Sequence, residues 1–306
     1  MKKIILTLLL SLLPTNANAI QNGTIHSGDP KVVYLASSQS YPGFFCSGAL
    51  IKENIVVTAA HCVSKPNTED GSLIRQASDV WVGMPNTNPY KDVERIQAKE
   101  IVFKNYKNYW SATDIRTMVG DIAFIILSKP MISGYSVKIA NKEEIESLKS
   151  NNISLRFFGY GRQKYATMPD GNVYFIDISA RYKKFNYEIN APYLESHSII
   201  GDETKQYAIC AGDSGGPSFY KNNNDWILVG VTSAGSGCIN GDSGGGALST
   251  VVYQYIDWIS EKTNEQKVLN NIIETKKVST IICLRNKSEY KITRINPKCP
   301  RGWVKK

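Results

Sequence analysis

The sequence predicts an all-β protein, a sandwich or barrel of short strands, with one helix near the C-terminus and a small disulfide-clipped β unit after it. Three observations carry this. From Lys31 to Val252 the chain is mostly short runs rich in β-branched and aromatic residues, punctuated by Gly, Asn, Pro or Asp. Helical spacing is clear only at "NKEEIESLK" and from about Tyr255 through "IDWISEK". Beyond Lys262 the chain turns polar, and two cysteines there could close a hairpin.

The first residues stand apart from the fold. Lys2 and Lys3 precede an apolar stretch, Ile4 to Leu13, that is too short to span a bilayer. Pro14 breaks it, and Ala17-Asn18-Ala19 fits a small-x-small cleavage site. Residues 1–19 therefore read as a secretory signal, with a mature chain starting at Ile20 and a secreted or periplasmic destination. The strands then follow in "KVVYLAS", "ALIKENIVVTAA", "DVWVG", "DIAFIIL", "NISLRFFGYG", "NVYFIDISARY" and "WILVGVTSAG". A boundary near residue 263 separates a main domain, 20–262, from a linker and small module, 263–306.

The formal net charge is +9. Lysines and arginines gather most visibly after residue 276, in "TKK" and "CPRGWVKK". Nucleic-acid binding calls for a basic face interleaved with aromatics, and no such face is read here. The tail could instead grip an anionic envelope or substrate surface, or pack as a cap. The six cysteines are Cys46, Cys62, Cys210, Cys238, Cys283 and Cys299. Export permits disulfides between them, and spacing alone selects no pairing. Without CxxC pairs or histidine-rich clusters, no metal site and no cofactor is expected.

The pentapeptide GDSGG occurs twice, with Ser214 in "CAGDSGGPSF" and Ser243 in "CINGDSGGGAL". A serine hydroxyl needs a base in hydrogen-bond reach, itself oriented by a third group. All three histidines, His26, His61 and His197, precede both copies. That order excludes the α/β-hydrolase elbow, where histidine comes last. The subtilisin order needs an aspartate before the histidine, and only Asp29, in a turn-like "SGDPK", precedes His61. What remains is His, Asp, Ser: His61 in "VVTAAHC", Asp121 in "VGDIAFIIL" and Ser214.

At this point the chain resembles the trypsin/chymotrypsin-like serine proteases, a secreted bacterial-type member with a C-terminal extension. "TAAHC", "GDIAFIIL", "FFGYGR", "CAGDSGGP" and "GVTSAGSGC" match that family's landmarks in order over about Ile20 to Lys262. The resemblance implies two packed antiparallel β-barrels and hydrolysis of protein or peptide substrates by a monomer. It implies Ser214 as nucleophile, His61 as base, Asp121 as its orienting group, and the backbone N–H groups of Gly212 and Ser214 as an oxyanion hole. It makes Ser243 a residue of a glycine-rich loop. It pairs Cys46 with Cys62 and Cys210 with Cys238, leaving Cys283 and Cys299 to the tail. Gly235 would pair its backbone with the substrate strand.

The same resemblance locates the specificity pocket at Ala208, Ile209, Gly235 and Ala247, an open apolar slot taking small to medium apolar residues before the cut. Asp242, in a loop bordering the pocket, offers the alternative of selecting lysine or arginine. A different alternative is a non-enzymatic binding protein on the same fold. Family members are switched on when a new N-terminal amine pairs with the aspartate before the serine, here Asp213. "IQNG" from Ile20 resembles such an end, so removal of the signal would itself create it.

Overall fold

The structure, a computed structural model, describes residues 20, 23–40, 43–64, 75–92, 94–103, 106–109, 117–151, 153–162, 168–179, 181–184, 197–200, 209–235, 247–263, 278–285, 288–295 and 298–306. It divides into two compact units, Met1–Tyr253 and Gln254–Lys306. This division differs from a boundary near 263 by the helical stretch 256–263, which groups with the tail.

The first unit is built from strands, as the sequence predicts. Six of them close a barrel in the order Val32–Ala36, Cys46–Lys52, Ile55–Thr58, Ala123–Leu127, Arg95–Phe103, Trp81–Gly83. Val33, Leu35, Leu50, Val56, Val82, Ile96 and Ile125 fill its core. The apolar runs VVYLA, IVVT and AFIIL are buried along their whole length. Continuous apolar runs rather than alternating ones are what strands covered on both faces require.

A second, nine-stranded sheet follows. Ser154–Gly159 lies between Tyr174–Ser179 and Pro217–Asn222, and Pro217–Asn222 in turn pairs with the long strand Asp225–Gly235. Ala247–Val251, His197–Ile200 and Arg181–Lys184 extend the sheet on that side, and Thr24–Ile25 edges the other. Lys138–Ile139 adds a short parallel pairing to Asp225–Gly235. The helix Lys142–Ser150 starts at a capping box: Asn141 accepts from the Glu144 N–H while the Glu144 carboxylate takes the Asn141 N–H.

The second unit carries the hairpin Val278–Arg285 and Ser288–Ile295, with Val304–Lys305 paired on Val278–Arg285. A Cys283–Cys299 disulfide clips it. Among the described residues no helix is long and apolar enough to cross a membrane.

Candidate active site

Strand register brings His61 and Asp121 together. Ile55–Thr58 runs into a 3-10 turn, Ala60–Cys62, and Asp121 lies just before Ala123–Leu127. The two strands are antiparallel with Thr58 opposite Ala123, so both side chains emerge at one end of the barrel. Asp121 has no exposed surface. Its Oδ1 accepts the His61 backbone N–H at 2.9 Å, and its Oδ2 lies 2.8 Å from His61 Nδ1. Ser233 Oγ donates to the same Oδ2. Burial of the imidazole works against its charged form, but the Asp121 charge and hydrogen bond outweigh it, and the His61 pKa is raised. With Nδ1 committed to Asp121, Nε2 is the nitrogen left for proton transfer.

Ser214 sits in the turn that enters Pro217–Asn222. The turn is fastened from several sides. Ser47 N donates to Ser214 O at 2.8 Å, and Ser47 Oγ donates to Gly212 O at 2.8 Å. Arg162 N donates to Ala211 O at 2.9 Å and Gly215 N to Thr232 O at 2.7 Å. The Cys62 sulfur lies 3.8 Å from Ser214 O, so the turn holding His61 packs directly on the Ser214 peptide. Cys62 is disulfide-bonded to Cys46. Gly215, at φ +79°, makes this fit possible, because a Cβ there would fall 2.1 Å from Thr58 Oγ1.

Asp213 lies beneath the turn, fully buried. It accepts the Gly161 N–H at 2.7 Å and the Cys210 N–H at 2.8 Å. Burial pushes its pKa up to about 7, with the two amides opposing the rise. A Cβ at Gly159 would lie 2.1 Å from Asp213 Oδ1, which explains glycine in "FFGYG" there. Ile20 has no exposed surface and packs in the core with Leu155, Phe157, Ile209 and Val229. Two of those neighbours flank the donors and close contacts of Asp213: Ile209 precedes Cys210, and Phe157 stands two residues before Gly159.

Of the residues named for the pocket, Ile209 and Ala247 are buried in that same core. Gly235 abuts Ile209: a Cβ at Gly235 would lie 2.5 Å from Ile209 Cβ. Cys210 is disulfide-bonded. Ala208, Cys238, Asp242 and Ser243 lie outside the described residues.

Three polar residues at the site escaped the sequence reading. Ser233 sits inside "GVTSAGSGC", where no local signal shows that its hydroxyl faces Asp121. Ser47 and Thr58 occupy ordinary strand positions, and Thr58 Oγ1 donates to Ser47 O at 2.8 Å. His26 is half-buried, edge-on to Phe158 at 4.7 Å, and burial lowers its pKa. Cys46, His61 and Cys62 lie close enough to suggest a metal cluster, but both sulfurs are in the disulfide and offer no thiolate.

An imidazole held by a buried carboxylate, packed against a glycine-rich serine turn, defines the serine-hydrolase class. The chain belongs to the trypsin family, whose family model, described as Trypsin, matches residues 19–259. It is 25% identical over 279 residues to Trypsin epsilon of Drosophila erecta, covering 85% of this chain and 98% of that one. It is 29% identical over 238 residues to Trypsin delta and to Trypsin gamma of the same fly, covering 74% of this chain and 82% of each. The protein is a serine endopeptidase, and its substrates are proteins or peptides.

Proposed function

We propose that the protein is a secreted endopeptidase that hydrolyses peptide bonds by acyl transfer to Ser214. The observation that carries this is the 2.8 Å contact of His61 Nδ1 with buried Asp121, on a turn packed against the Ser214 peptide. His61 Nε2 takes the Ser214 proton as Oγ attacks the carbonyl, then returns it to the departing amine. Water repeats the sequence to free the acyl group. Asp121 orients the imidazole and stabilises its charged form. The N–H groups of Gly212 and Ser214 receive the developing oxyanion, each donor contributing roughly 3 kcal/mol.

Cleavage follows apolar residues of small to medium size. Supporting this are the apolar character of Ile209 and Ala247 and the closeness of Ile209 to Gly235, which disfavours bulky or charged side chains. Residues 1–19 act as a bacterial-type signal, and cleavage after Ala19 frees the Ile20 amine to pair with Asp213. The burial of Ile20 beside segments that touch Asp213 supports that pairing. Residues 263–306 form a C-terminal extension whose basic side chains contact an envelope or substrate surface.

Assaying purified protein against a peptide library tests the reading. Ser214→Ala should abolish hydrolysis while Ser243→Ala keeps most of it, and cuts should follow small apolar residues. Equal losses from the two changes would overturn the assignment of Ser214, and predominant cuts after lysine or arginine would overturn the pocket.

A further inference from the structure

In the proposed reading a substrate runs to both sides of Ser214, with Ile209 and Gly235 on its acyl side. Gly212 has a second neighbour on its other flank, a cavity of about 360 Å³ lined by Phe44, Phe45, Arg75, Tyr90, Arg162 and Met168. Ala211 and Gly212 form its rim. A Cβ at Gly212 would stand 3.3 Å from Phe44 Cε2, and the Arg162 N–H is bonded to Ala211 O. The cavity thus borders the residue two before Ser214, within reach of the residues that follow the cut in that reading.

Its chemistry is one-sided. Arg75 and Arg162 supply two guanidinium groups, and no acidic residue lines the cavity among the described residues. The Arg75 guanidinium lies 3.8 Å over the Phe45 ring, which fixes its plane. Its Nε is buried and has no hydrogen-bond partner among the described residues. Because that atom is covered, a carboxylate in the cavity meets the part of the guanidinium that lines it, where charge-assisted bonds are strong. Of the nearby acids, Asp79 acts on Arg75 through its charge without lining the cavity, and Asp170 accepts from Asn172 N, Asn172 Nδ2 and Tyr174 OH. Phe44, Tyr90 and the exposed Met168 give the methylenes of an acidic side chain an apolar wall.

We propose that this cavity is a subsite for the leaving side of the substrate, and that Arg75, with Arg162, selects an aspartate or glutamate within the first two residues after the cut. The proposal rests on Ser214 as nucleophile, which fixes the direction of the chain through the site. The Arg75 fork holds the carboxylate, and Arg162 adds charge without a second buried bond.

Internally quenched peptides that differ only in glutamate or glutamine after the cut test this, alongside a p-nitroanilide that has no residue there. The wild-type enzyme should show a kcat/KM ratio of roughly tenfold in favour of glutamate. Arg75→Gln should bring the ratio close to one, and Arg75→Lys should restore part of it, since charge survives without the fork. Each ratio is read within one enzyme, so a general loss of activity cancels. Arg162→Gln should lower the ratio less, and it reports independently if the Arg75 variants fail to fold. A wild-type ratio near one, or a ratio untouched by both arginine changes, overturns the subsite while p-nitroanilide hydrolysis stands. Loss of p-nitroanilide hydrolysis by the wild type overturns the reading of Ser214, and the subsite with it.

Discussion

Two aspartates without exposed surface serve the same turn, and they are treated in opposite ways. Asp121 accepts from the His61 amide, sits against the His61 ring and takes a third bond from Ser233. Asp213 accepts from two backbone amides and, among the described residues, has no cationic partner. Burial pushes the Asp213 carboxyl up to about 7, while the cation that Asp121 favours appears as a raised pKa on its histidine partner. The difference teaches that a buried carboxylate in this fold is comfortable only when something can carry positive charge beside it. Asp121 has that within the barrel. For Asp213 the proposed source is the amine of Ile20.

Breaking the Asp121 side of the comparison should give the largest effect. Asp121→Asn should lower kcat by roughly 10⁴-fold, because the amide favours the wrong imidazole tautomer. It should also move the acidic limb of the pH–rate profile downward, since the raised His61 pKa depends on the Asp121 charge. A profile that keeps its limb would separate His61 from Asp121.

The Asp213 side should respond to the N-terminus. An uncleavable extension before Ile20 should reduce activity by roughly 10²- to 10³-fold, the equivalent of ~3–4 kcal/mol, as for a missing buried partner. The sign of its pH dependence follows from the raised carboxyl pKa. In the extended chain the folded state holds the Asp213 proton to about 7, while the unfolded chain releases it near the ordinary carboxylate value. Stability should therefore fall as pH rises between these values, by about 4 kcal/mol. The chain beginning at Ile20 should lose far less across that window. Its amine should instead be lost at alkaline pH, above its free value of about 8. Denaturant titrations of both forms at several pH values read this directly, and parallel curves would reject the pairing.

The smallest effect belongs to the third donor on Asp121. Ser233→Ala removes one hydrogen bond to a carboxylate that keeps two others, and kcat should fall about tenfold. The acidic limb should move slightly upward, because the less-satisfied carboxylate holds the His61 proton more tightly. An unchanged limb would make Ser233 a packing residue only.

Much of this was legible in the sequence, and the exceptions have physical reasons. The all-apolar runs announced the barrel strands, since strands covered on both faces need no polar alternation. Arg95–Phe103, which completes the barrel, was missed because in "RIQAKEIVF" the adjacent Lys99 and Glu100 interrupt the alternation of polar and apolar residues. His61, Asp121 and Ser214 were singled out from chain order, a one-dimensional property. Ser47, Thr58 and Ser233 were not, because their roles depend on pairing register across strands distant in sequence. The approach of Ile209 to Gly235 was equally invisible: it is a distance between a loop and the end of a strand, and no local spacing encodes it.

The central claim is that the first GDSGG serine, and not the second, is the nucleophile served by His61. A serine-directed phosphonate followed by peptide mapping tests it most directly. The account predicts a single covalent adduct on Ser214, formed faster as pH rises through the raised His61 pKa and absent in Asp121→Asn over the same time. An adduct on Ser243, or labelling of Ser214 at equal rates with and without Asp121, would contradict it.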